Sequence, residues 1–371
     1  MSAIRPAAEV TDERSPARRP GAGRAVVLLV LVALGALIPL LGPSAALHGT
    51  GEAAAPGVGG IGALRAVVLA AVSVPLGELF VHRLARRLPG VPPERPCSWA
   101  PFVTVAGFVA ALALAAVVSA GNLIPHRLGQ LDVGGLYGSR DGRLALLEVN
   151  GLLLAALCSF SRRPAAQVWP LAAVVLAEAL RAHPTTEQSP LLGSALTLVH
   201  LTCATLWTGG LLHALRLLRL WHGAPAGAAL LARYARVAAV LLAAITATGV
   251  CSSLRRMPSA TILDQLTTTA YGRTLLAKVI LVAAVALLAL WARIRLGRAA
   301  DPLTAYAPAR AEVIALGAVV ALLALWARIR LGRAADPLTA YAPARAEVIA
   351  LGAVVAVSGL LTALPLPIRW S

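Results

Sequence analysis

The sequence predicts an all-α integral membrane protein, a polytopic helical bundle of nine or ten transmembrane helices, and three observations predict it. Hydrophobic residues make up 58% of the chain and charged ones 13%, against about 25% charged in an ordinary soluble domain. The mean hydropathy of +0.79 comes from Ala, Leu and Val gathered into blocks of roughly 20 residues, the length of helix that crosses a hydrocarbon core of about 30 Å. Backbone groups in lipid must be satisfied within their own segment, so such blocks are helices. The alternating ten-residue strands of a membrane β-barrel are absent.

In chain order, residues 1–23, with Pro6, Pro16, Pro20 and charges of both signs, read as a disordered cytoplasmic tail. Apolar blocks run over 25–42, 62–81, 102–120, 144–160, 165–181, 191–215, 234–253, 274–292, 311–329 and 346–365. The first is read as an uncleaved anchor in preference to a signal peptide, although Ser44-Ala45-Ala46 places small residues after it. Residues 24–185 thus form an N-terminal membrane region of about five helices, and 190–365 a second region.

Orientation comes from the arginine bias of short loops. Arg14, Arg18, Arg19 and Arg24 place the N-terminus in the cytoplasm. Arg83, Arg86, Arg87 and Arg95, then Arg162 and Arg163, then Arg216 and Arg219, then Arg293, Arg295 and Arg298 fall on the same side. The net charge of +17 would suggest nucleic acid in a soluble chain; here the arginines lie between apolar blocks, and no nucleic-acid partner is expected. The lipid bilayer is the partner, and a bacterial cytoplasmic membrane the expected location.

The alternation breaks at a repeat. Residues 285–321 recur verbatim at 320–356, displaced by 35 positions. Solenoids carry several diverged copies; two identical ones point to a recent in-frame duplication or an assembly error. Each unit adds one basic loop and one apolar helix, so Arg328, Arg330 and Arg333 are forced to the side opposite their originals. We read a nine-helix ancestor with a late tenth helix.

Signatures of soluble enzymes (a Walker loop, G-x-G-x-x-G, H-E-x-x-H) are absent, as are the acidic motifs of a membrane transferase, and we read a non-enzyme. Cys97, Cys158, Cys203 and Cys251 form no CxxC, so neither a disulfide framework nor a zinc site is expected. Polar residues inside apolar helices are costly and mark function. The sixth block, LTLVHLTCATLWTGGLLHALRLL, is the richest. His200, Cys203 and Trp207 share one helical face, and imidazole with thiolate suits copper. His213 lies on another face, about 20 Å further along the axis, a separate stop. Interhelical hydrogen bonding by the histidines, with glycines for close packing, is the alternative.

His48, His126 and His183 fall in outward loops and read as solvated; Met257 sits just past the outer end of the seventh block. Together these outline a path towards His200 and His213. With two methionines in the chain, a Met-rich copper funnel is excluded. Glu78, Glu148 and Glu178 lie within apolar blocks; Glu148 and Glu178 are read as interfacial or paired with arginine in preference to a cation site. Arg273 and Lys278 are read as headgroup anchors, or as partners of an outer carboxylate.

The stretches VHLTCATLWTGG, YARVAAVLLAAITATGV and YGRTLLAKVILVAAVALLALWAR, taken together, resemble the membrane domain of the copper resistance protein D (CopD) family over about 190–365. The matching positions are His200, Trp207, Gly209, Gly210, Thr248, Gly249, Tyr271, Gly272, Arg273, Leu275, Lys278 and Glu312 or its copy Glu347. The resemblance implies copper as the transported or bound ion, moved across the cytoplasmic membrane, often with a small periplasmic copper-binding protein. It strengthens His200 as a ligand but not Cys203. The metal candidates are therefore His200, His213, Cys203 and Met257. The alternative function is a non-transporting assembly factor that delivers copper to a respiratory oxidase.

Overall fold

The computed structural model describes residues 41–53, 56–183, 185, 189–221, 224–257 and 261–283. The tail at 1–23, nearly all of the first apolar block, both copies of the repeat, Glu312, Glu347 and the last two blocks lie outside the described residues. Among the described residues all regular structure is helical, in agreement with the all-α prediction. The elements are α1 (Val58–Ala85), α2 (Ala100–Ser119), a short α3 (Val133–Gly138), α4 (Arg140–Phe160), α5 (Val168–Arg181), α6 (Pro190–Leu220), α7 (Pro225–Arg256) and a short α8 (Ile262–Thr268). Helical residues also occur at 41–47 and 270–283.

Helices α1, α2, α4, α6 and α7 are long and apolar enough to cross a membrane. Helix α5 has 14 residues, led by a 3-10 turn over Pro164–Gln167; the two rise about 29 Å together, close to the thickness of a hydrocarbon core. The chain is a multi-pass membrane protein.

Local chemistry starts these helices. Helices α6 and α7 open on Pro190 and Pro225, where the missing N–H is one the first turn leaves unpaired. Ser139 caps α4 by accepting from the Gly142 N–H at 3.0 Å, which satisfies one orphan donor. Helix α7 is longer at both ends than its apolar block at 234–253. Its first turns include Arg233, which donates to the Arg87 carbonyl at 3.4 Å, so an arginine that reads as loop sits in a helix.

Packing closes a ring. Helix α1 packs on α2 and α6, α2 on α4, α4 on α5, and α5 on α6, while α7 lies against α6. One apolar core fills the ring with Val68, Val72, Leu114, Leu152, Leu171 and Val174. A second joins α1, α6 and α7 through Val81, Trp207, Leu217, Leu230, Tyr234 and Ile245.

Helices α1 and α6 are parallel neighbours. Gly77 and Ser73 meet Gly209, Glu78 meets Arg216, and His82 meets His213, so both chains advance together. The contact is glycine-mediated: a Cβ on Gly209 would overlap the Ser73 carbonyl, hence only glycine permits this approach. We name the end formed by 86–99, 161–167 and 221–224 inner, and the opposite end outer, after the arginine bias.

Candidate functional site

Helix α6 carries the candidate residues on two faces. One face lies on α7. There His200 Nδ1 is 3.0 Å from Thr248 Oγ1. The Thr248 hydroxyl donates to the Ala244 carbonyl at 2.7 Å, so its oxygen accepts from the imidazole. His200 is therefore protonated on Nδ1 and keeps a lone pair on Nε2. Metal-ligating histidines are held in this way, with one nitrogen hydrogen-bonded and the other free to coordinate. A Cβ on Gly249 would sit 3.6 Å from His200 Cε1, an ordinary contact.

Further along this face, half-buried Cys203 packs against the core that contains Trp207. Tyr234 donates to the Trp207 carbonyl at 2.5 Å, and a Cβ on Gly210 would come within 2.9 Å of the Tyr234 ring. The paired glycines thus serve two neighbours: Gly209 admits α1 and Gly210 admits Tyr234 of α7.

The other face of α6 lies on α1. His213 is 1% exposed, and its ring is tilted 57° to that of His82 with the centroids 4.6 Å apart. Neither His213 nitrogen has a hydrogen-bond partner among the described residues, nor does His82 Nε2. One turn back, Glu78 accepts from Arg216 at 2.8 Å, from Ser98 Oγ at 2.5 Å and from the Trp99 N–H at 2.9 Å. Arg216 also bonds the Cys97 carbonyl and lies 4.0 Å over the Trp99 ring. Arg216, expected as a solvated loop charge, is instead buried in α6 and paired. Its helix runs one turn beyond the apolar block, and Glu78 draws it inward.

At the outer end several expectations are corrected. His183 is buried, 2% exposed, with Nε2 2.9 Å from Thr197 Oγ1 and 3.5 Å from Arg256; the short link between α5 and α6 folds it beneath Arg256. His48 and His126 are exposed, as expected. Arg181 binds Glu148 and Glu178, the latter at 3.1 Å, so the two carboxylates adopt the arginine-paired arrangement. Arg140 caps the end of α5, donating to the Leu180 carbonyl at 2.7 Å.

Arg273 binds no outer carboxylate among the described residues. It donates to the carbonyls of Thr267, at 2.7 Å, and of Ala46 and His48, tying the segment around 46–48 to the helical residues at 270–283. Gly272 is required there, because a Cβ would overlap the backbone of Gln265 and Leu266. Lys278 is half-buried.

The candidates are dispersed. Among the described residues no three of His, Cys, Asp and Glu come together as a ligand set. His200 and His213 are 13 residues apart on α6, about 20 Å. Met257 is fully buried just past α7, nine residues beyond Thr248 and so about 13 Å towards the outer end. His82 is the residue that sequence reasoning missed. It lies one position past the predicted end of its apolar block, and the arginines around it read as loop.

No curated protein and no solved structure matches the chain. The family model described as copper resistance protein D matches residues 228–326. This span starts in the first turn of α7, includes Thr248, Gly249, Tyr271, Gly272, Arg273 and Lys278, and leaves His200, Cys203 and His213 just upstream. It contains one full copy of the repeated unit and stops at Trp326, inside the second. The resemblance carried by the ordered motifs thus coincides with a match to that family's model over residues 228–326, that is, over α7 and the sequence after it.

Proposed function

We propose that the protein moves copper across the membrane it spans, with His200 as a ligand on the path. The observation that supports this most is the pairing of two elements: α7, inside the family match, supplies Thr248, and Thr248 holds His200 of α6 with Nε2 open. The domain of the copper-resistance family and the best-prepared imidazole on the neighbouring helix therefore meet at one hydrogen bond.

Three buried or half-buried imidazoles are spaced along α6 in depth. His183 lies against Thr197, His200 comes one turn later, and His213 stands near the inner end. His200 and His213, about 20 Å apart along the helix, are separate stops and not one ligand set. On this reading the CopD-like region extends upstream to about 190 and takes in α6.

The test is the copper content of cells that express the wild type or His200→Ala at equal membrane levels. Expression of the wild type changes cell copper, and the substitution removes the change. Equal copper content in both sinks the transport reading. Unchanged copper with lost respiratory oxidase activity in the substituted strain replaces it with copper delivery to that enzyme.

A further inference from the structure

We propose that His82 and His213 form a two-imidazole site for monovalent copper at the inner end of the α1–α6 interface. The inference rests on the copper reading above and adds a ligand, His82, and a location that the family match does not reach.

Three buried nitrogens at this place have no hydrogen-bond partner among the described residues: His82 Nε2 and both nitrogens of His213. Unpaired buried polar atoms are rare in folded proteins, so their coincidence in one ring pair calls for a ligand. His82 makes a hydrogen bond to the Glu78 backbone. Because Nε2 has no partner, that bond is made by Nδ1–H, and the Nε2 lone pair remains. His213 is 1% exposed and, as a neutral ring, offers a lone pair on one nitrogen or the other.

Geometry and charge select the ion. Two-coordinate copper(I) holds its imidazoles in line, and metal–nitrogen bonds of about 2.0–2.1 Å then place the ring centroids about 6 Å apart; at 4.6 Å the two rings are closer than that, so binding requires them to turn apart. No third His, Cys, Asp or Glu joins them among the described residues. Zinc sites use three or four protein ligands, whereas copper(I) is content with two. The neighbouring charges are Arg216, Arg95, Arg86 and Glu78, and Glu78 is already paired with Arg216. That surplus of positive charge disfavours a divalent ion more than a monovalent one.

The fold prepares the site. Gly77 and Gly209 bring the α1 and α6 backbones together one to two turns away, and the Glu78–Arg216 pair fixes their register. With the helices parallel, His82 and His213 arrive at the same depth.

The experiment uses the full chain, purified in detergent and titrated with copper(I) under reducing, anaerobic conditions against bicinchoninate. The wild type binds an equivalent that is lost in both His82→Ala and His213→Ala and kept in His200→Ala. X-ray absorption of copper on the wild type shows two imidazole nitrogens, a readout that stands even if a variant fails to fold. Wild-type stoichiometry in both His82→Ala and His213→Ala overturns the site, as does copper bound without imidazole. A chain that changes cell copper yet keeps its equivalent in these variants refutes the pair alone. A chain that binds no copper and leaves cell copper unchanged refutes the functional reading with it.

Discussion

Thr248 holds His200 by a side-chain hydrogen bond of 3.0 Å, beside one to the Ile245 backbone. Replacing it with valine keeps the shape and removes the acceptor, so the imidazole loses its fixed tautomer; such partners are worth about 10–100-fold in metal affinity. Thr248→Val is expected to weaken copper(I) binding at His200 by that factor in chelator competition, while Thr248→Ser stays close to wild type. Gly249→Ala is expected to be tolerated, since its Cβ meets His200 at an ordinary 3.6 Å. His200 is legible from its place in an apolar block, because an imidazole there needs a reason. His82 is not, since it stands among arginines at a block's edge. His183 escapes the sequence for a related reason: burial of a loop residue depends on Thr197 and Arg256, and no local pattern reports either.

At the scale of elements, α6 is a helix with two partners and a division of residues between them. The face of His200, Cys203, Trp207 and Gly210 serves α7, and the face of Gly209, His213 and Arg216 serves α1. The paired glycines in the sequence signal close packing; that each serves a different neighbour emerges only in the assembled bundle. Gly209→Ala forces a methyl group into the Ser73 carbonyl and is expected to cost about 1–3 kcal/mol, as overpacking does, seen as a lower melting temperature in detergent. Glu78→Ala leaves Arg216 buried without its carboxylate and frees Ser98 and Trp99. Breaking one partner of a buried pair costs about 3–5 kcal/mol, so this variant is expected to be the less stable of the two. Helix existence is readable from the apolar blocks, while helix ends are not. Arg233 and Arg216 look like loop residues, yet each lies in a helix because a carbonyl or a carboxylate of α1 or its following turn receives it.

For the whole molecule, α1, α2, α4, α5 and α6 form the ring and α7 lies on its flank, so the family match begins on the helix outside the ring. The family match contains one copy of the 35-residue unit in full and ends inside the second. Deleting residues 321–355 is expected to move a C-terminal alkaline phosphatase from the cytoplasmic to the outer side, scored by its activity in whole cells; unchanged activity would mean that one copy does not span. Contacts such as Glu78–Arg216, 138 positions apart, are beyond any sequence pattern, because pairing across a bundle is decided by which helices become neighbours. The parallel course of α1 and α6 has an electrical consequence. Each helix leaves about half a negative charge at its C-terminal end. Antiparallel neighbours cancel these fields, but here two ends of the same sign stand side by side near His82 and His213. The basic side chains of the two last turns, His82 and Arg83 on α1 and Arg219 on α6, meet these like ends.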